Sequence, residues 1–265
     1  MSEQPADPVP QPDALDGLQR DNARLKRELL QARAELEAFT ASVSHDLRAS
    51  LRHVTAYVQI IQEDLGDVAP AALMGHLGTV SQAARQMGRQ IDGLTALSRL
   101  NQVDLQWSPV ALAPLVRDVC AELTPSLNGR AIDWQVAEDC PALMGDAALL
   151  RQVFTHLLSN AIKFSASRTL AVVQVTWQRE TDGRCALTVT DNGVGFNPHY
   201  TARLFQVFQR LHGAREFEGL GMGLAPTRKI IERHGGTVRA SGALDGGCSI
   251  TFTLPLACVS SASQR

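Results

Sequence analysis

SVSHDLRASL, residues 42–51, sits where one apolar repeat gives way to another. Upstream, Leu15, Asn22, Leu29 and Leu36 fill one heptad row and Leu18, Leu25, Ala32 and Phe39 the next. Phe39, Val43, Leu47 and Leu51 then follow at steps of four, before Val54, Val58, Ile61 and Leu65 return to alternating threes and fours. Two extra steps of four form a stutter, which locally unwinds a coiled coil. His45 lies two residues from both Val43 and Leu47, so at roughly 100° per residue it points about 200° from their seam. It is expected to face solvent.

The upstream heptads carry Asp21, Glu28 and Glu35 at g, with Lys26 and Arg33 at e. In a parallel homodimer these would pair as Asp21–Lys26′ and Glu28–Arg33′, and the single Asn22 at an a position would fix a two-stranded register. The alternative is one amphipathic helix packed on its own chain. Downstream, a turn at 66–70 leads to a second stripe of Leu73, Leu77, Val80, Ala84, Met87, Ile91 and Leu94. Two such hairpins together bury both stripes as a four-helix bundle. Residues 101–109, ending in Pro109, read as a linker.

Composition sets outer bounds. The chain has 265 residues, 45% hydrophobic and 20% charged, with a net charge of −2 that gives no basic field for nucleic acid. Five separated cysteines, with no CxxC pair and no secretory signal ahead of them, suggest reduced thiols and a cytoplasmic protein. No run of eighteen apolar residues is present, so no membrane insertion is expected. Four prolines among residues 1–12 point to a disordered start.

From about 110 to 258 helical patterns (112–127, 146–164, 222–234) mix with strand patterns (132–136, 169–180, 185–191, 237–241, 248–254). TDGR, 181–184, carries an Asp-Gly hairpin signal. Helices with a mostly antiparallel sheet in this order give a two-layer α/β sandwich. Asp146 reads as the N-cap of a helix whose polar face gathers Gln152, His156, Asn160 and Lys163.

Within HLLSNAIKFS, 156–165, an amide oxygen and an ammonium one turn apart suit a magnesium-bound phosphate, although such a pair is more often simply solvated. In DNGVGF, 191–196, Asp191 can accept an exocyclic amine, and Gly193 and Gly195 permit close backbone approach. LFQVFQRL, 204–211, places Phe205, Phe208 and Leu211 at helical spacing, as a small core patch would. GLGMGLA, 219–225, offers glycine-rich N–H groups at a helix start but is not a Walker loop.

Each motif alone is ambiguous; the order is not. Asn160, Asp191 and Gly219 follow at intervals of 31 and 28 residues, behind the SHDLR helix. Over residues 40–255 the chain resembles a two-component sensor histidine kinase, and DLRASLRHVTAY is similar to the phytochrome-associated, cyanobacterial branch. The resemblance implies His45 as phosphoacceptor and Asp46 as general base. It implies Asp191 on adenine, Asn160 on Mg²⁺ and Lys163 on the phosphates of ATP. Gly193, Gly195, Gly219, Gly221 and Gly223 would form the glycine boxes, with 197–218 a mobile lid. The domains implied are a disordered 1–12, a signalling coiled coil 13–40, a dimerisation and phosphoacceptor hairpin 41–104, a catalytic ATP-binding domain 105–258 and a disordered tail 259–265. The partner implied is a response regulator receiver domain.

Three positions depart from the family's pattern. His156 stands where the N box usually begins with Asn, which puts the strength of ATP binding in question. Ala49, four after His45, lacks the hydrogen-bonding side chain that orients water in phosphatase-competent relatives, so weak phosphatase activity is expected. Ser50 replaces a common proline, which predicts a straighter first helix. The residues before the H box suffice for a coiled coil and not for a folded input domain. A separate sensor acting in trans on the N-terminal helix, or a longer parent chain, is therefore expected. The competing readings are a catalytically degenerate dimeric phosphotransfer or scaffold protein, a gyrase-like or chaperone-like ATPase, and a serine kinase of the anti-sigma type. None of the remaining histidines (His53, His76, His199, His212, His234) has a zinc-ligand spacing.

Overall fold

The computed structural model describes residues 12–66, 70–100, 103–127, 129–209, 211–213, 216–217 and 221–257. Residues 1–11 of the expected disordered start 1–12, the expected disordered tail 259–265, Gly219 of the second glycine box, and parts of the expected lid and hairpin turn lie outside these residues, while Pro12 is helical rather than disordered. The chain divides into a unit of residues 1–84 and a unit of residues 85–265.

The first unit is built on α1 (Pro12–Leu65) and the start of α2 (Ala71–Arg99), the long helical hairpin. Proline suits the first helical position, where its missing N–H leaves no bond unmade. The stripe residues of α1 lie open in the single chain, Leu25 at 58%, Leu36 at 65% and Phe39 at 66% exposure. The acidic g positions are met on their own helix, Arg24 pairing with Asp21 at 3.2 Å and lying 3.9 Å from Glu28. The helix runs without interruption through Ser50, whose hydroxyl donates to the Asp46 carbonyl at 3.1 Å.

In the second unit a five-stranded sheet of order β2-β4-β5-β7-β6 is formed by β2 (Ile132–Val136), β4 (Ala171–Arg179), β5 (Arg184–Asp191), β6 (Val238–Gly242) and β7 (Cys248–Pro255). Only the β2–β4 pair is parallel. Alternation along β4 and β7 sends Val173, Val175, Phe252 and Leu254 into the core. Three helices bury their stripes there: α3 (Leu112–Leu123) with Val116 and Val119, α4 (Ala147–Phe164) with Val153, Phe154 and Leu158, and α5 (Leu224–Arg233) with Ile230 and Ile231. Thr188–Thr251 and Thr190–Ser249 hydroxyl pairs, both at 2.9 Å, bridge β5 and β7. Asp146 caps α4 as expected, accepting from the amides of Ala148 and Leu149. Leu97 and Leu100, at the end of α2, join this core. No described helix is long and apolar enough to cross a membrane.

Two expectations need correction. The linker 101–109 runs into a strand, β1 (Ser108–Val110), which pairs antiparallel with β3 (Leu143–Gly145). Each strand has only three residues, too few for a period-two signal, and Pro109 argued against one. The helical spacing of 204–211 is not realised either: 204–209 is a series of turns, and Phe208 has φ +62°. Leu204, Gln209 and Leu211 instead line the cavity described next.

Candidate functional site

The polar face of α4, the end of β5 and the start of α5 enclose a cavity of about 340 Å³. Asn160 and Lys163 reach it from α4, Asp191 from β5, and Gly221 and Gly223 from the chain entering α5. Gly223 is the N-cap of α5, and a Cβ there would lie 3.5 Å from the Asn160 side-chain nitrogen. Lys163 extends over the Phe164 ring, its Nζ 4.2 Å from the centroid.

Burial pushes the Asp191 carboxyl up from its ordinary range, and the backbone amides of Gly193 and Cys248 partly offset this by donating to it. The Gly193 amide lies 2.8 Å from Oδ1. A half-buried carboxylate held by backbone donors on the wall of a largely apolar cavity suits a planar group that offers an N–H.

The glycines of DNGVG lie close against the protein's own backbone. A Cβ at Gly193 would lie 2.6 Å from the Phe164 carbonyl oxygen, and one at Gly195 would lie 1.8 Å from the Ala243 carbonyl oxygen. Gly195 also has φ +60°. These residues let the loop close onto its own protein backbone.

His156 turns its Nδ1 inward without a hydrogen-bond partner, and burial lowers its pKa. In the first unit, His45 is 75% exposed and its Nδ1 lies 3.2 Å from Asp46 Oδ1. Ala49 offers no polar atom one turn further on.

Sequence reasoning did not find three residues at the site. Cys248 pairs with Asp191 across β5–β7 and lines the cavity floor. His212 lines the cavity and lies 2.8 Å through Nε2 from the Gly195 carbonyl, with its ring beside Phe164 and Phe217. Arg168 holds the Asp191 loop from behind. No spacing rule picks them out, although aromatic and histidine residues clustered at 208–217 were a visible signal.

The donor set fits an adenine nucleotide: a half-buried carboxylate, a carboxamide, an ammonium and a helix N-terminus around one apolar cavity. Among the described residues no three His, Cys, Asp or Glu side chains gather as a metal site. A divalent cation bound through phosphate oxygens and water needs few protein ligands, and the Asn160 carboxamide in the cavity could supply one.

Residues 145–257 match the family model of the histidine kinase-, DNA gyrase B- and HSP90-like ATPases. The chain is 32% identical over 242 residues to cyanobacterial phytochrome A of Nostoc sp., covering 88% of this chain and 30% of that protein. It is 30% identical over 222 residues to the methanogenesis regulatory histidine kinase FilI of Methanothrix harundinacea, covering 84% and 25%. The chain thus spans less than a third of the length of either relative. Full-length ShkA, crystallised with AMPPNP, superposes with a TM-score of 0.58 at 26% identity, over 82% of this chain and 45% of that one. The histidine kinase AdeS of Acinetobacter baumannii shares the fold, with a TM-score of 0.54 at 18% identity over 80% of this chain and 98% of its own.

Proposed function

We propose that this chain is a sensor histidine kinase that phosphorylates its own His45 from Mg-ATP and passes the phosphoryl group to an aspartate of a response regulator receiver domain. The observation that carries the reading is the cavity joining Asn160, Lys163 and Asp191. Asp191 would accept the adenine amine, Asn160 would hold Mg²⁺, and Lys163 would neutralise phosphate charge. The cation supplies charge neutralisation on the transferring group.

The chemistry left to the protein is positioning. The Nε2 lone pair of His45 forms the bond to the γ-phosphorus as the bond to the ADP oxygen breaks. Asp46, 3.2 Å from Nδ1, takes up the positive charge developing on the ring by accepting the Nδ1 proton. An exposed histidine can be reached in turn by the ATP-binding domain and by the receiver. The open stripe of α1 would be covered by a second copy, as a homodimer with the domain limits 13–40, 41–104 and 105–258.

Incubation with γ-labelled ATP and Mg²⁺ should give an acid-labile, alkali-stable label that His45→Gln removes and Asn160→Asp reduces at least tenfold. A label surviving His45→Gln would overturn the assignment. A degenerate scaffold finds its support in the orphaned Nδ1 of His156; it predicts no label at all in the wild-type protein. Ala49 implies weak phosphatase activity. Fast loss of phosphate from the regulator on adding this protein with ADP would show otherwise.

A further inference from the structure

Arg168, in the turn between α4 and β4, points its guanidinium at the back of the loop that carries Asp191. Its Nε donates to the Asn192 carbonyl at 2.7 Å, and one Nη2 donates to the carbonyls of Gly193 and Asp245, both at 2.9 Å. The same nitrogen lies 3.6 Å from the Asp245 carboxylate, which is 85% exposed, while the arginine side chain is 31% exposed. Three backbone acceptors at hydrogen-bond distance outweigh one solvated carboxylate at longer range, so the charge pair is the lesser part of this contact.

The three carbonyls come from two separate segments, the DNGVG loop and the β6–β7 turn. Other bonds tie them together. The Asp245 amide donates to the Val194 carbonyl at 2.8 Å, and the Val194 amide donates to the Phe164 carbonyl at 3.0 Å. Asn192 is fixed by its side chain, which accepts from the Val172 amide and donates to the Leu170 carbonyl, both at 3.0 Å. Gly193 is therefore gripped on both sides. Its carbonyl meets Arg168, and its amide meets Asp191 Oδ1 at 2.8 Å.

We infer that Arg168 is a positioning residue for nucleotide recognition: by holding the Asn192, Gly193 and Asp245 carbonyls, it sets the peptide that orients the Asp191 carboxylate in the cavity. The inference rests on the kinase reading for the identity of the nucleotide. The planar fork of arginine reaches three acceptors at once, which the single ammonium of lysine cannot do with the same geometry. Loosening this peptide frees Asp191 to turn. A base recognised through its amine then loses its advantage over guanine, whose carbonyl the carboxylate repels.

The test uses the full chain as wild type, Arg168→Ala, Arg168→Lys and Asp245→Asn, with ATP and GTP affinities measured by calorimetry. Backbone amide exchange at residues 193, 194 and 245 is followed without nucleotide. Arg168→Ala should weaken ATP binding at least tenfold and narrow the ATP-to-GTP ratio, with faster exchange at those amides. Arg168→Lys should recover less than a third of the lost affinity. Asp245→Asn, which keeps the main-chain acceptor, should stay within twofold. Rates at saturating ATP should fall less than threefold, because the effect lies in binding. If wild type binds ATP and either arginine variant binds it within twofold of wild type, or loses ATP and GTP equally, the inference fails and the kinase reading stands. If wild type binds no ATP, both fail. Should Arg168→Ala not fold, Arg168→Lys and its exchange pattern decide the matter.

Discussion

The two units of the chain solve the problem of burying apolar surface in opposite ways. The sandwich closes its core within one chain: Phe154, Leu158, Val173, Leu187, Ile230 and Phe252 are all sealed. In α1 the regularly spaced Leu18, Leu25, Leu29, Leu36 and Phe39 remain open to solvent. A helix cannot leave such a stripe exposed at no cost, whereas a finished core has no need of a partner. One unit therefore carries its stability in itself, and the other awaits something to pack against.

The comparison would break first at Leu158. It is fully buried in α4, so Leu158→Ala should cost about 2–5 kcal/mol through lost packing and a residual cavity. The loss should be the same at any protein concentration in denaturant melts. Leu36 tests the other half. Leu36→Ala should hardly change the sandwich transition, yet it should raise the concentration needed for self-association about tenfold or more, read by sedimentation. Equal concentration dependence in wild type and variant would remove the dimer from the account.

Acid should act on the sandwich in a defined direction. His234 is buried at the end of α5; its Nδ1 donates to the Ile230 carbonyl and its Nε2 accepts from the Asp146 amide at 3.0 Å. Burial lowers its pKa, opposed by the Ile230 carbonyl and by Asp146, and Arg233 lowers it further. Burial shifts His156 the same way. Between such a depressed value and about 6.5 the unfolded chain binds more protons than the folded one. Stability is thus fully present above that range and drains away as pH falls through it. The melting temperature should fall from pH 7 to pH 5, and His234→Gln, which cannot gain the proton, should flatten the slope. An unchanged slope would leave another group responsible.

The legible and the illegible parts of this molecule differ in the range of the interactions that made them. The stripes of α1, α3 and α4, the Asp146 cap and the turn at Asp182-Gly183 are local periodicities or local hydrogen bonds, so a linear pattern displays them. Asn160, Lys163 and Asp191 were legible as motifs, and the cavity does bring them together. What their spacing could not show was the frame. Gly195 is required by the Ala243 carbonyl, and Arg168 acts on carbonyls at 192, 193 and 245. Those neighbours exist only once the β6–β7 turn has folded over the loop. Phe208 misled for a related reason: helical spacing at 204–211 is overridden by closure over the cavity.

Asp191 offers the finest distinction between a core and a site. Its carboxyl is pushed up by burial, so the folded form holds its proton more tightly than the unfolded chain does. By linkage its opposition to folding sets in above the ordinary carboxylate range, is complete above the elevated value, and disappears on acidification. Asp191→Asn keeps an oxygen to accept from the Gly193 amide while removing the half-buried charge. The nucleotide-free protein should then melt slightly higher at pH 7, by about 1–3 °C, and the difference should vanish at low pH. ATP binding should be lost in the same variant, because the new amide N–H groups confront the amine of adenine. A variant that is less stable and still binds ATP would place Asp191 with the packing residues. A variant that is more stable and no longer binds would show that this sandwich, closed everywhere else, gives up stability at the residue that selects its nucleotide.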